Sequence, residues 1–231
     1  GTHRGLGLES GVLVAIFDTG FYKTHQCLSR LRRVAERDFA CGDGETQWQQ
    51  GETCLPRSAD NHGTYVWSAL GGYATGTQLG AAYRASFALA RTEEVGHEVH
   101  LEEDSYIAAL EWADSLGVDI VSSSLGYRRF DDGSSYSLED LDGETIPITV
   151  ATQIAFERGI LVVTAMGNNG PDPSSLIAPA RSSAAIGLTA GRSRRDIAGP
   201  ESSEVKSAIS TSATKSRSLM MPACSASVAR R

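Results

Sequence analysis

Residues 11–20 read GVLVAIFDTG, an apolar run that Asp18-Thr19-Gly20 cuts off. The run is of strand length, and its apolar residues do not alternate with polar ones. Such a segment is covered on both faces, as in a parallel sheet packed between helices. Three later segments repeat the theme: 85–90 (ASFALA), 118–124 (VDIVSSS) and 160–165 (ILVVTA). Between them lie helical patterns. Tyr106, Ile107, Leu110, Ala113 and Leu116 recur at helical spacing, with Glu102, Glu103 and Asp104 near the amino end, where carboxylates suit the dipole. Gly117 is a suitable stop for that helix, and Gly159 for another over 148–158. A shorter helix is expected over 65–70, opened by His62-Gly63-Thr64. Strand and helix alternate, so the expected fold is α/β: three layers around a doubly wound, mostly parallel sheet.

Composition limits the alternatives. The chain has 231 residues, 41% hydrophobic and 21% charged, with a net charge of −7. This is the profile of a globular domain, not of a disordered tail or a disulfide miniprotein. No Lys/Arg cluster interleaves with aromatics, so no nucleic-acid partner is expected. The longest apolar runs, 11–17 and 159–166, fall well short of the roughly 20 residues that cross a bilayer, so no membrane span is expected.

The pattern is uneven along the chain. Residues 1–10 are a lead-in, 11–191 carry the α/β pattern, and 192–231 form a poorly patterned tail, incomplete as a continuation of the fold. Residues 201–231 hold nine serines against six large apolar side chains, and no aromatic ring from Phe, Trp or Tyr follows Phe156. Residues 40–61, rich in Gly and polar groups, read as a long surface loop. The four cysteines, Cys27, Cys41, Cys54 and Cys224, have no CxxC spacing, so a zinc or thioredoxin site has no support. Cys41 and Cys54 flank a polar, Gly-rich stretch; both a disulfide and two thiols are compatible with that.

Ligands of open α/β sheets bind beyond the carboxyl ends of the strands. Asp18, Ser124 and Asn168 all fall there. Taken singly they are ordinary strand exits and turns, since Asp-Thr-Gly and Gly-Asn-Asn-Gly are common turn chemistry. Their combination with His62, in the order Asp, His, then a turn Asn, is what carries information. The pieces are Ala15-Ile16-Phe17-Asp18-Thr19-Gly20, Asn61-His62-Gly63-Thr64-Tyr65-Val66, Ser123-Ser124-Leu125-Gly126 and Ala165-Met166-Gly167-Asn168-Asn169-Gly170. With these the chain resembles the subtilisin-like serine peptidases, the subtilases, from residue 11 to about 190.

The resemblance implies a serine endopeptidase that attacks a peptide carbonyl and passes through an acyl-enzyme. Asp18 would orient His62 and stabilise its imidazolium, His62 would be the general base, and Asn168 would donate its amide to the oxyanion. Ser124, Leu125 and Gly126 would present backbone groups to an extended peptide. The implied partners are a peptide or protein substrate, and the implied location is outside the cell. A monomer is expected, though no residue bears on it.

The chain departs from the family at one point: it holds no Gly-Thr-Ser motif for the nucleophile. The nearest match, Thr211-Ser212-Ala213, follows Ser210 rather than Gly and has no apolar helix behind it. A truncated or frame-shifted domain, inactive as given, is the expectation. The alternative function is a peptide- or partner-binding remnant, and a chain that does not fold stably is a third reading. No cofactor is expected. His97 and His100 with Glu102–Asp104 lack the HExxH zinc spacing and read as a solvated acidic connection. The acidic runs Asp131-Asp132 and Glu139-Asp140-Leu141-Asp142 lack regular calcium-ligand spacing; structural calcium stays open, and metal is unassigned. Gly5, Gly7 and Gly11 precede a strand instead of following one, so they form no dinucleotide loop.

Overall fold

The computed structural model describes residues 11–168 and 175–188. The opening apolar run forms strand β1 (Leu13–Asp18). Its side chains divide between two cores. Val14 and Ile16 join Phe21, Trp67, Phe87 and Leu89 on one face, while Ala15 and Phe17 join Ala88, Ala90, Tyr106, Leu110 and Val121 on the other. Neither face of β1 meets water, which is why the run lacks alternation.

The remaining elements follow as β2 (Arg32–Asp38), α1 (Asp60–Gly71), β3 (Tyr73–Ala74), β4 (Gln78–Leu79), β5 (Ser86–Arg91), α2 (His100–Leu116), β6 (Ile120–Ser123), α3 (Pro147–Glu157), β7 (Leu161–Ala165) and β8 (Ala185–Leu188). Six strands form one sheet in the order β2-β5-β1-β6-β7-β8, with every neighbouring pair parallel. β3 and β4 make a separate antiparallel hairpin. Helix α1 covers one face through Trp67, while α2 and α3 cover the other through Tyr106, Ala109, Leu110, Ala113, Ile148 and Ala155. The result is the three-layer α/β architecture expected from the sequence. Gly117 ends α2 in the left-handed region at φ 71°, its amide returning to the Ala113 carbonyl.

The β3–β4 hairpin and strand β8 are additions to the sequence reading, and the structure departs from it in three further places. β2 is an edge strand of sequence RRVAERD, mostly exposed, so it has no apolar pattern to reveal it. Helix α1 begins at Asp60, before the expected start at Tyr65, and takes His62 into its first turn. Gly63 obscures that start, because glycine inside a helix is unfavourable by about 1 kcal/mol relative to alanine. The loop after β2 is not simply solvated: Cys41 and Cys54 are joined in a disulfide, and Glu52 and Asp38 are bonded to a buried arginine.

Phe17 is fully buried, with its ring edge-to-face on Tyr106 at 5.2 Å. Phe17→Ala is expected to lower unfolding free energy by about 3–5 kcal/mol, whereas Val34→Ala, on the edge strand, is expected to change it by less than about 0.5 kcal/mol. Urea titration of both variants checks this.

Candidate active site

All six strands of the main sheet run the same way, so their carboxyl ends share one rim. Asp18 is the last residue of β1, Ser124 follows β6, and Asn168 lies three residues beyond the end of β7. β1, β6 and β7 are consecutive in the sheet, which brings the three exits to neighbouring positions on that rim.

Asp18 is fully buried. Its Oδ1 accepts the Thr19 amide at 2.8 Å and faces His62 Nδ1 at 2.8 Å. Donation from Nδ1–H to this carboxylate leaves the lone pair of the neutral ring on Nε2. The His62 side chain is 53% exposed, so the ring is anchored at one edge and open at the other. Its pKa is raised, chiefly by the hydrogen bond to Asp18 and further by that charge, against the opposing effect of burial.

Backbone contact brings the histidine to the carboxylate. The Thr19 hydroxyl donates to the Ala59 carbonyl at 2.6 Å, and the Tyr22 amide donates to the Thr64 hydroxyl at 2.7 Å. A Cβ on Gly63 would lie 2.2 Å from the Gly20 carbonyl and 3.0 Å from Asp18 Cβ. The residue after His62 therefore has to be glycine for the helix to meet the turn.

On the neighbouring strand, Ser124 is exposed while Leu125 is buried, and the Leu125 carbonyl accepts the Thr164 hydroxyl at 3.3 Å. Gly126 packs against the 177–178 segment: a Cβ there would sit 2.4 Å from Ile177 Cδ1 and 2.8 Å from the Ala178 carbonyl. Tyr127 exchanges both backbone hydrogen bonds with Ala178 at 3.0 Å. Asn168 is exposed, and Gly167 before it has φ 109° with the Ser175 carbonyl close by. Ser212, like Cys224 and Asn169, lies outside the described residues.

The secondary candidates turn to local partners. His100 Nδ1 meets Glu103 at 2.9 Å and its Nε2 meets Ser134 Oγ at 3.0 Å, while His97 Nδ1 lies 3.5 Å from Asp131. Asp132, Asp140 and Asp142 each accept hydrogen bonds from residues two or three positions away, and these hold their carboxyls below the usual range. Among the described residues, the one close group of His, Cys, Asp or Glu able to hold a metal by distance is Cys41, Glu52 and Cys54, and both of its cysteines are in the disulfide.

Two features escaped the sequence reading. Arg91 is fully buried at the end of β5 and pairs with Asp38, Glu52 and Asp60. Its signal in the sequence was a cation ending an otherwise apolar strand. Glu93, also buried, accepts a hydrogen bond from Tyr127, and burial followed by the charge of Glu102 pushes its carboxyl well above the usual range. Only a contact distant in sequence reveals that pair.

Asp18→Asn is expected to lower the His62 pKa, read by NMR titration of the ring. Because the folded-state pKa is raised, this hydrogen bond stabilises the fold fully below the unfolded histidine value of about 6.5. That contribution fades as pH rises through the folded pKa. Gly63→Ala is expected to destabilise by about 1–3 kcal/mol or more through overpacking, and to bring the His62 titration back towards that of an ordinary histidine. Denaturant titration and the same NMR experiment check it.

Comparison with known proteins identifies the family. The family model described as "Subtilase family" matches residues 9–229. The Arabidopsis thaliana subtilisin-like protease SBT4.10 is 26% identical over 202 residues, covering 77% of this chain and 27% of that protein. The CO(2)-response secreted protease of the same plant is 32% identical over 161 residues, 65% of this chain and 19% of that protein. The chain thus spans less than a third of the length of these curated relatives. Among solved structures, the S41 psychrophilic protease superposes with a TM-score of 0.55 at 26% identity, covering 77% of this chain and 52% of that one. Sphericase superposes with a TM-score of 0.55 at 24% identity, covering 77% and 53%, and shares the fold. On the matched sequence and the shared architecture together, the chain belongs to the subtilase family.

Proposed function

We propose that the chain carries the base, the orienting carboxylate and the oxyanion donor of a subtilisin-type serine endopeptidase acting on peptide or protein substrates. The observation that carries the reading is the 2.8 Å contact between His62 Nδ1 and the buried Asp18 carboxylate, on the rim that also holds Ser124 and Asn168. With Nδ1–H committed to Asp18, His62 Nε2 is the nitrogen that would take a proton from an attacking hydroxyl and return it to the leaving amine. Asp18 would balance the imidazolium formed between those steps. Asn168 would offer its side-chain amide to the developing oxyanion, and the backbone at Ser124, Leu125 and Gly126 would hold the peptide as an added strand. The Cys41–Cys54 disulfide suits an oxidising, extracellular setting.

A peptide-binding role without turnover is the second reading, favoured by the missing Gly-Thr-Ser motif. Without a nucleophile, a serine peptidase keeps only about 10³ to 10⁴ over the reaction in water. The expected outcome with this polypeptide is therefore no measurable release from a chromogenic peptide anilide, together with saturable binding of a peptide aldehyde seen as shifts of His62 ring signals. Hydrolysis that a serine-directed phosphonate blocks would overturn the inactive assignment. Absence of any shift at His62 would overturn the site itself.

A further inference from the structure

The buried cation Arg91 sits beside the Asp18–His62 pair in the sheet. β1 and β5 place Asp18 opposite Arg91, and β2 and β5 place Asp38 opposite it from the other side. The guanidinium is fully buried. Nη1 donates to Asp38 Oδ2 at 2.8 Å and to Glu52 Oε1 at 2.7 Å; Nη2 donates to the Thr46 carbonyl at 3.3 Å and to Asp60 Oδ1 at 3.4 Å. One cation thus holds carboxylates from β2, from the disulfide-closed loop and from α1.

Of these partners, Asp60 touches the candidate site's scaffold. It is the first residue of α1, and His62 is the third. Both carboxylate oxygens of Asp60 also accept the Trp48 amide, at 3.0 and 2.9 Å, and its carbonyl accepts the Thr64 hydroxyl. The turn after Asp18 is packed against this pair: a Cβ on Gly20 would lie 2.6 Å from Asp60 Oδ1 and 3.3 Å from Arg91 Nε. Arg91 and Asp60 therefore press on the turn that follows the carboxylate and fix the helical turn that bears the imidazole. A shift of that first turn by one ångström would lengthen a 2.8 Å hydrogen bond beyond useful range.

We propose that Arg91 is a positioning residue for His62, acting through Asp60 to hold the first turn of α1 over Asp18. The inference rests on the reading of Asp18 and His62 as orienter and base. It goes further by assigning their alignment to a cation that touches neither substrate nor histidine.

The test is the NMR titration of His62 in the histidine-labelled full chain, wild type against Asp18→Asn, Arg91→Lys and Arg91→Met. Simple charge effects and positioning predict opposite signs. Removing a nearby cation raises a histidine pKa, whereas loosening the bond to Asp18 lowers it. The expected result is a fall of about half a unit or more in Arg91→Met, with a smaller fall in Arg91→Lys, which keeps the charge but cannot fork to three carboxylates. The Nδ1–H signal is expected to weaken in the same order. Should Arg91→Met fail to fold, Arg91→Lys decides alone, since its charge is unchanged. A His62 pKa that stays level or rises in the folded variants, while Asp18→Asn lowers it, overturns the role of Arg91 and leaves the base–orienter reading standing. If Asp18→Asn leaves the titration unchanged, the base–orienter reading fails and the inference fails with it.

Discussion

The contact between His62 and the buried Asp18 carboxylate makes demands on the rest of the molecule. A carboxylate with no exposure is unfavourable unless hydrogen bonds and an adjacent positive or dipolar group compensate it. Here, while the buried Oδ2 has no hydrogen-bond partner, Oδ1 is compensated by the Thr19 amide and the imidazole. Both must approach the end of a strand whose two faces are already covered. The parallel sheet meets the demand by ending β1 at the rim, where a turn can leave and a helix can enter. The two-sided apolar core and the polar rim are thus parts of one arrangement.

Much of this was legible in the sequence, for identifiable reasons. The run ending at Asp18 is buried on both faces, so its composition alone reported a covered parallel strand. The helical spacing of Tyr106, Leu110 and Ala113 reported one buried face, and Gly117 sits where its left-handed φ is needed. The candidate site residues could be named because strand ends and turn residues carry short local patterns, which in this order resemble those of one family. What was hidden depends on contacts far apart in the chain. β2 is an exposed edge with no periodicity to read. The start of α1 was obscured because the glycine that shortens the apparent helix is required by its contact with the Gly20 carbonyl. Arg91 reaches Asp38, 53 residues away, and Asp60, 31 residues away, and no local rule anticipates either. The disulfide resolves an alternative that spacing had left open.

Membership of the subtilase family and the lack of a Gly-Thr-Ser motif stand together. The described residues bring Asp18, His62, Ser124 and Asn168 to one rim, an arrangement set by the sheet and α1. A nucleophile is a separate structural requirement, because it needs its own element to present it. The hydrogen bonds that join the Asp18–His62 pair and tie together the segments around it, Asp18 to His62, Thr19 to Ala59 and Tyr22 to Thr64, all lie within residues 18–64.

The close approach of Gly63 to Gly20 has a further consequence. Backbone meets backbone there, with no intervening side chain whose rotamers could spread the distance between helix and strand. The imidazole is therefore seated before any ligand arrives, and association does not have to order it. A site of this kind behaves as a lock already cut, in which an incoming chain adapts to the protein rather than the reverse.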